Sequence, residues 1–329
     1  GSIVSVLRKD PYALETAFLS VIVFAGRART LTPLTELVSF YPPELPVGGG
    51  TALGAALEHL MDEIDRSVVS TTADRKGDWR PIVFLLTDGH PTDTVSKALE
   101  RWNRSYRSRV SLVAVSIGGN ADHALLKQLT EDVVVFNDQA PDAFARFVKW
   151  LSMSIQSQSR SVSAGKDGKV SLAKAEPGLL APADAAAGLV PFSGVDDRYA
   201  VFVGKCAKTR QPYVVKYERH MGRIETADPV LAQLLSTRRY ALAGTAPIKN
   251  SYFDLCDGVG SGQSVSSEDL VGQPSCPHCG ARFGMAVCRC GGIHCVSGDG
   301  VHTCPWCGNI GNYGNSADGG GFDIGRGRG

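Results

Sequence analysis

Residues 77–93 read GDWRPIVFLLTDGHPTD, and this stretch decides the fold of the first half of the chain. Its centre, Ile82 to Thr87, is an uncharged run of β-branched and large apolar side chains, bounded by a proline and by Asp88-Gly89. A short apolar run between such breaks is typical of a strand buried inside a sheet. The stretch therefore predicts a strand that places the Asp88 carboxylate at its C-terminal end.

Strands and helices alternate on both sides of this stretch. Further buried strands are predicted at 18–24, 112–117 and 133–136, and amphipathic helices at 52–66, 93–107 and 141–156. This alternation predicts an α/β domain over residues 1–156, with a Rossmann-like parallel sheet and helices on both faces. The loops at the carboxyl ends of the strands form the ligand-binding edge of such a sheet.

A second polar motif is expected at the same edge. Residues 48–54, GGGTALG, place the hydroxyl of Thr51 at the start of a helix. A hydroxyl and the carboxylate of Asp88 suit Mg²⁺, which accepts few protein ligands and keeps several waters. Two other interpretations stay open. Thr51 would be an ordinary helix N-cap and Asp88 a turn residue, or the loop would bind phosphate, although it lacks the Gly-Lys-Ser/Thr ending of nucleotide-binding loops.

The second half of the chain is marked by two copies of a Cys-x2-Cys unit, CPHCG at 276–280 and CPWCG at 304–308. Two such turns present four thiolates to one ion, which is the ligand shell of a structural zinc site. A disulfide framework is disfavoured because the chain starts with no apolar signal segment and is elsewhere poor in cysteine. The spacing predicts one Zn²⁺ held by Cys276, Cys279, Cys304 and Cys307.

Three more cysteines lie between the two units, at Cys288, Cys290 and Cys295. They are enough for a second Zn²⁺ if one further ligand is added. We predict His302 as that ligand, with His294, Cys206 and Cys256 as alternatives. Two alternatives stay open: a cross-braced arrangement that pairs 276/279 with an inner pair, and simple packing of reduced thiols.

The composition excludes some classes of function. The chain has 329 residues, 43% of them apolar, and its 34 basic and 33 acidic side chains give a net charge of +1. This balance creates no field that would attract nucleic acid or a membrane surface, and no apolar run approaches the roughly 20 residues that span a bilayer. Reduced, metal-binding cysteines favour the cytoplasm.

The chain is long enough for two domains. Residues 157–190, rich in Ser, Gly, Ala and Lys, are predicted to be a linker. Residues 191–308 are predicted to form a β-rich domain, with an antiparallel hairpin at 199–217 and the zinc ribbon at 274–308. The glycine-rich segment 309–329 is predicted to be a disordered tail.

Thr51 and Asp88 together resemble part of the metal-ion-dependent adhesion site of the von Willebrand factor A domain. That site combines an Asp-x-Ser-x-Ser loop with a later threonine and a later Thr-Asp-Gly aspartate, and Thr51 and Asp88 match the last two. This sequence contains no Asp-x-Ser-x-Ser, and in the family that loop follows a first strand that would lie before residue 1. The resemblance implies an A domain that is N-terminally truncated, or else degenerate, with weak or no Mg²⁺ binding.

Longer segments resemble one branch of that family. They are DPYALET at 10–16, GDWRPIVFLLTDG at 77–89, LKQLT at 126–130 and FVKWLS at 147–152. They look like the TerY-type A-domain proteins of bacterial tellurium-resistance and stress operons, and the two Cys-x2-Cys units look like the TerY-C metal-binding domain fused to some members. The resemblance implies a non-enzymatic adaptor, encoded beside a Ser/Thr protein kinase and a metal-dependent Ser/Thr phosphatase.

The predicted function is therefore a cytoplasmic protein-interaction scaffold. A nucleic-acid-binding zinc ribbon is the alternative, but residues 274–310 contain two basic side chains, Arg282 and Arg289, which is too few for a phosphate-binding surface. His90 lies close to Asp88 in the sequence, and such a pair could suggest hydrolysis. Catalysis is disfavoured because the sequence places no nucleophile-elbow serine and no nucleophilic cysteine near His90.

Overall fold

A computed structural model describes residues 2–69, 72, 74–75, 77–88, 90–117, 121–136, 142–163, 172–174, 179–182, 199–220, 239–256, 258, 263–314 and 321–327. The chain divides into two compact units. The first unit comprises Gly1–Leu45 and Gly50–Phe192, and the second comprises Pro46–Gly49 and Ser193–Gly329.

The first unit alternates helices and strands along most of its length. Its helices are α1 Ser2–Leu7, α2 Pro11–Thr16, α3 Leu53–Ser67, α4 Ser96–Ser105, α5 His123–Leu129 and α6 Ala143–Ser163. Its strands are β1 Phe18–Phe24, β2 Ala28–Glu36, β3 Ile82–Thr87, β4 Ser111–Ile117, β5 Val133–Phe136 and β6 Leu180–Pro182. Among the described residues, no helix has both the length and the apolar character needed to cross a bilayer.

The main sheet of the first unit has the order β3-β4-β5-β6. β3, β4 and β5 are parallel, and β6 is added antiparallel at the edge. β4 is buried along nearly its whole length because helices cover both of its faces. Leu112 and Ala114 belong to a cluster that includes Trp102 of α4, whereas Val113 packs in a cluster that includes Phe147 of α6. The predicted α/β architecture is confirmed.

β1 and β2 depart from the prediction of a single parallel sheet. β2 was not predicted, and it pairs with β1 in a separate two-stranded antiparallel sheet. The two strands are joined by a tight turn in which the amide of Ala25 donates to the carbonyl of Arg27 at 3.0 Å. So short a connection allows an antiparallel hairpin, whereas parallel neighbours need a long crossover.

The segment predicted as a linker is partly regular. α6 continues to Ser163, and β6 pairs with β5. Ala173 is also fixed to α6: its carbonyl accepts from Trp150 Nε1 at 2.9 Å, and its amide donates to Ser154 Oγ at 3.1 Å. The prediction of a linker over 157–190 is therefore wrong at these places, and its other residues lie outside the described part of the chain.

The second unit is almost entirely β structure. Its strands are β7 Tyr199–Lys205, β8 Pro212–His220, β9 Arg239–Pro247, β10 Ser264–Ser266, β11 Leu270–Val271, β12 Phe283–Val287, β13 Ile293–Val296, β14 Gly300–Thr303, β15 Ile310–Tyr313 and β16 Asp323–Gly325. Short 3-10 helices lie at Asn250–Tyr252 and Ser267–Asp269. Six strands form one sheet in the order β11-β9-β8-β7-β13-β12, and the predicted hairpin is β7 with β8. The β-rich character of this half is confirmed.

The glycine-rich end of the chain contains two strands where disorder was predicted. β15 pairs with β14, and β16 pairs with β10. Ile324 is 2% exposed, and Arg326, which is 6% exposed, donates to the carbonyl of Tyr199. The high glycine content predicted disorder, but the hydrogen bonds of a β ladder use backbone groups, which glycine has. The buried side chain of Ile324 holds β16 in place. Residues 315–320 and 328–329 lie outside the described part of the chain.

Replacing Ile324 with alanine should lower the free energy of unfolding of the second unit by about 2–5 kcal/mol, since the change removes buried methylene groups and leaves a cavity. Urea unfolding of the zinc-loaded chain would measure this. Phe322→Ala is the matched control: Phe322 is 50% exposed, and its loss should change stability by less than about 0.5 kcal/mol. Equal effects of the two substitutions would contradict the packing of β16.

Candidate metal centres

The second unit brings eight of the nine cysteines into two groups of four. The first group, here called the inner cluster, is Cys206, Cys276, Cys279 and Cys295. The second group, here called the outer cluster, is Cys288, Cys290, Cys304 and Cys307. Within each cluster the sulfur atoms all lie within 4.8 Å of one another. All nine cysteines are free of disulfide bonds.

This grouping differs from the predicted one. Cys276 and Cys279 do not share a cluster with Cys304 and Cys307, and each Cys-x2-Cys unit instead belongs to a different group. The cross-braced alternative is met only in part: Cys276 and Cys279 are joined by one inner cysteine, Cys295, and by Cys206. The inner pair Cys288 and Cys290 lies instead with Cys304 and Cys307. The reason is strand pairing: Ile293 and His294 of β13 lie opposite Gly204 and Lys205 of β7, so the next residue of each strand, Cys295 and Cys206, also meet.

The two Cys-x2-Cys units form the same turn. In the inner cluster the amide of Gly280 donates to the carbonyl of Cys276 at 3.0 Å, and the amide of Cys276 donates to the carbonyl of Ala281 at 2.9 Å. In the outer cluster Gly308 and Cys304 repeat the first bond at 2.9 Å. Both glycines have positive φ, +72° and +77°, a conformation that residues with a side chain rarely adopt.

Cys206 occupies a related turn between β7 and β8. Its amide donates to the carbonyl of Gln211 and its carbonyl accepts from the amide of Arg210, both at 2.9 Å. The amide of Thr209 donates to Cys206 Sγ at 3.4 Å. The sequence CAKTRQ at 206–211 thus builds a cysteine turn in which Thr209 stands at the position of a second cysteine. A cysteine at the start of a predicted hairpin turn is the signal that would have selected Cys206.

Cys288 and Cys290 lie in the turn that joins β12 to β13. The amide of Cys288 donates to the carbonyl of Gly292 at 3.0 Å, and the amide of Gly291 donates back to Cys288 at 2.8 Å. Gly291 has φ +81°. The hairpin therefore carries ligand candidates for both clusters, since its turn holds two outer cysteines and its second strand holds Cys295.

The four outer sulfur atoms are too close to ionise independently. The backbone amide of Cys290 lowers the pKa of Cys288 to about 6. The amide of Gly292 favours the thiolate of Cys290, but desolvation and the neighbouring thiols, first that of Cys307, outweigh it and raise the pKa of Cys290 to about 12. Because four adjacent thiolates repel one another, their full ionisation requires a cation among them. The donor set therefore fits a thiophilic metal ion.

Tyr213 supports the inner cluster from β8. Its ring is fully buried, and its hydroxyl donates to the carbonyl of Gly284 at 2.5 Å. Burial, with the nearby thiols, raises the pKa of Tyr213, so the phenol stays protonated. The ring lies against Gly204, where a Cβ atom would come within 2.4 Å of it. Glycine at 204 thus lets the strand that leads to Cys206 run close to this ring.

Trp306 ties the outer cluster to β13. Its indole Nε1 donates to the carbonyl of Ile293 at 2.6 Å, and Lys205 Nζ lies 4.3 Å from the centre of the ring. Gly292 allows this approach, because a Cβ atom there would lie 2.5 Å from the indole. The two clusters are thereby fixed to the same short strand.

The other candidate ligands lie outside the clusters. His302 was predicted as a ligand of a second ion, but its Nε2 lies 2.8 Å from the carbonyl of Gly298, and His302 is in neither group of the described residues. The buried ring of His294 packs edge-on against Tyr313, with 4.8 Å between centroids. Cys256 Sγ donates to the carbonyl of Tyr252 at 3.2 Å.

In the first unit, the loops that carry Thr51 and Asp88 are bonded to each other. The amide of Thr51 donates to Thr92 Oγ1, and the amide of Thr92 donates to the carbonyl of Thr51, both at 3.0 Å. Thr51 is 5% exposed, whereas Asp88 is exposed. Among the described residues, Asp88 belongs to no group of three or more metal-ligating side chains.

Asp93 has a role that the sequence analysis missed. Its carboxylate accepts from the amides of Gly54 and Ala55, at 3.0 and 2.8 Å, and so caps α3 from another loop. Thr51 is not the N-cap, since that position is Ala52, which provides no side-chain bond. A Cβ atom on Gly54 would lie 2.6 Å from the carbonyl oxygen of Thr94. The cap thus holds the Asp88 loop against the start of the helix.

His90 follows Asp88 in the same loop, where its Nδ1 lies 3.9 Å from Asp122 Oδ2. The same carboxyl group caps α5, because its Oδ1 accepts from the amide of Leu125 at 2.9 Å. Burial lowers the pKa of His123, whose Nε2 lies 3.1 Å from Ser116 Oγ. Ser116 is fully buried, so its hydroxyl is inaccessible to a substrate in solution.

Asp93→Ala should lower the free energy of unfolding of the first unit by about 1–2 kcal/mol, since the change leaves two helix amides without their acceptor. Asp93→Asn should cost less because the amide oxygen still accepts. Urea unfolding measures both variants. An alanine variant as stable as the parent chain would show that the cap contributes nothing.

Comparison with known families agrees with this fold. The sequence model of the von Willebrand factor type A domain matches residues 3–149, and that of the TerY-C metal binding domain matches residues 196–329. A search of curated proteins gave no match.

Solved structures of A-domain proteins are similar to the chain at low identity. Proximal thread matrix protein 1 from the mussel byssus is 18% identical over 47% of this chain and 41% of its own, with a TM-score of 0.33. The ArnB paralog VWA2 from Sulfolobus acidocaldarius is 18% identical over 47% and 39%, with a TM-score of 0.30. The von Willebrand factor type A protein from Catenulispora acidiphila is 12% identical over 78% and 64%, with a TM-score of 0.32. The chain thus spans about two fifths of the length of the first two.

The fold and the matches define a von Willebrand factor A-domain protein with a cysteine-rich metal-binding domain at its C-terminal end. An A domain followed by a TerY-C domain is the TerY-type arrangement of domains.

Proposed function

We propose that the chain is a non-enzymatic scaffold whose second unit is held together by two zinc ions and whose first unit binds a protein partner through Mg²⁺. The observation that carries the proposal is the pair of four-cysteine clusters in a domain whose family binds metal. The proposal replaces the predicted grouping around one ion with two four-cysteine sites that use all eight clustered cysteines.

The ligand chemistry supports zinc at both clusters. Four thiolates in a small volume suit an ion that prefers a tetrahedral sulfur shell, with Zn–S distances of about 2.3 Å. Four protein ligands leave no position for water, so each ion is structural. Zinc ligation of this kind contributes on the order of 10 kcal/mol to the folding of small domains. The inner ion joins β7 to β13, and the outer ion closes the hairpin turn onto the second Cys-x2-Cys unit.

The A domain supplies the partner-binding edge. Thr51 and Asp88 offer a hydroxyl and a carboxylate at the carboxyl end of the parallel sheet, and Thr92 and Asp93 hold the two loops together. A Mg²⁺ ion here would keep open positions for water, one of which an acidic side chain of a partner replaces. Two protein ligands make a weak site, so we expect Mg²⁺ affinity to be low unless an Asp-x-Ser-x-Ser loop completes it.

The resemblance to TerY-type proteins supports the choice of partners. We propose a Ser/Thr protein kinase and a metal-dependent Ser/Thr phosphatase as the proteins that the scaffold brings together, in a cytoplasmic response to tellurite or related chemical stress. The nucleic-acid-binding zinc ribbon gains no support, because residues 274–310 carry two basic side chains, Arg282 and Arg289.

Metal analysis of the purified chain should find two zinc ions per chain. Cys206→Ser should reduce the content to one because Cys206 belongs to the inner cluster, although it lies far from the other cysteines in sequence. Cys256→Ser is the matched control and should retain two ions. Absence of zinc in the parent chain would refute the proposal, and equal zinc contents of the two variants would refute the grouping.

Asp88→Ala should weaken capture of the kinase or phosphatase partner by at least about tenfold, or about 1.4 kcal/mol. The measurement uses a chain that carries an Asp-x-Ser-x-Ser strand and loop ahead of residue 3, because the ion needs those oxygen ligands. Binding is measured in the presence and in the absence of added Mg²⁺. No chelator is used, because a chelator would also remove zinc.

The control for Asp88 is Glu131→Ala, which removes a carboxylate that is 94% exposed and lies in another loop. It should leave capture unchanged. Capture that is independent of both Mg²⁺ and Asp88 would remove the ion from the binding mechanism.

A further inference from the structure

The two clusters have the same ligands but differ in their access to solvent. Cys206, Cys276 and Cys295 are 0%, 2% and 1% exposed, and Cys279 is partly exposed. In the outer cluster Cys304 and Cys288 are 0% and 8% exposed. Its other members, Cys290 and Cys307, are exposed. One cysteine from each half of the outer cluster is thus exposed to solvent.

The inner cluster is enclosed by the hydrophobic core of the second unit. Cys206, Cys276 and Cys295 belong to the same buried cluster as Phe202 and Ile293. Two backbone amides also donate to its sulfur atoms, Ala207 to Cys295 at 3.3 Å and Thr209 to Cys206 at 3.4 Å. An incoming ion would reach these sulfur atoms only after β7 and β13 separate, which is a local unfolding of the sheet.

The outer cluster is local and open at one side. Its ligand candidates all lie between residues 288 and 307, on two turns. Cys290 and Cys307 are exposed residues, so an incoming ion can approach their thiolates while the resident ion is still held by the two buried cysteines. Such stepwise transfer needs no opening of the core.

We propose that the outer cluster is an exchange site for soft, thiophilic metal ions, whereas the inner cluster retains its ion. The inference rests on the proposed occupancy of both clusters by zinc. In the exchange one Cd²⁺ enters and one Zn²⁺ leaves; the four sulfur atoms remain thiolates and no electrons are transferred. Soft ions such as Cd²⁺ and Cu⁺ favour sulfur ligands, so they compete for zinc that they can reach.

The test starts from the full chain loaded with two zinc ions. Cd²⁺ is added in excess, and native mass spectrometry follows the metal content with time. One Zn²⁺ per chain should be replaced at least about tenfold faster than the other, which corresponds to about 1.4 kcal/mol more opening free energy at the inner cluster. Equal replacement rates of the two ions would overturn the inference.

Two matched variants assign the rapid exchange to a cluster. Cys307→Ser removes an outer ligand, and the rapid phase should disappear. Cys279→Ser removes the most accessible inner ligand, and the rapid phase should remain. The opposite result, in which the rapid phase survives Cys307→Ser and is lost in Cys279→Ser, would place exchange at the inner cluster and contradict the inference.

A measurement on the unmodified chain does not depend on whether the variants fold. The zinc-loaded protein is treated with the chelator 4-(2-pyridylazo)resorcinol and N-ethylmaleimide, and the alkylated cysteines are mapped. Cys288, Cys290, Cys304 and Cys307 should be labelled first, and early labelling of Cys206, Cys276 or Cys295 would overturn the inference. A starting content below two zinc ions would instead refute the proposed function, so the two failures are distinguishable.

Discussion

The parallel pairing of β7 with β13 is the contact on which the second unit depends. Ile293 lies opposite Gly204, and His294 lies opposite Lys205, so the cysteine after each pair is delivered to the same place. Without this register Cys206 would have no neighbours, and the first Cys-x2-Cys unit would offer half a ligand shell. The same strand also binds the second Cys-x2-Cys turn, because the indole of Trp306 donates to the carbonyl of Ile293. One four-residue strand therefore organises both groups of thiols.

Much of the fold could be predicted from the sequence because local patterns decide it. The apolar runs of β3 and β4, the amphipathic face of α3 and the β7–β8 hairpin all follow from periodicity over a few residues. The grouping of the cysteines could not be predicted, since it depends on a pairing between residues near 204 and residues near 293. Composition also misjudged the glycine-rich end, where the buried side chain of Ile324 matters more than the surrounding glycines.

For the candidate Mg²⁺ site, too, local motifs could be read from the sequence, whereas contacts between distant segments could not. Thr51 and Asp88 were identified from motifs, and the structure bonds their loops together through Thr92 and Asp93. The capping role of Asp93 was hidden because its partners, the amides of Gly54 and Ala55, lie in a different segment. A carboxylate in a polar loop resembles a metal ligand in sequence, yet here it neutralises the positive end of a helix. Loss of this side chain would therefore disturb the loops that carry Thr51 and Asp88 without removing either candidate ligand.

The unequal sequence spans of the two clusters bear on how the second unit folds. Cys288 to Cys307 closes a short loop, whereas Cys206 to Cys295 closes a loop several times longer. The longer closure costs about 1 kcal/mol more in chain entropy. Assembly of the outer cluster therefore costs less chain entropy. Two of its cysteines lie in the turn of the β12–β13 hairpin, whose second strand carries Cys295. The exposed cluster would then act as the folding nucleus, presenting a preformed strand to which the distant β7 and Cys206 are added.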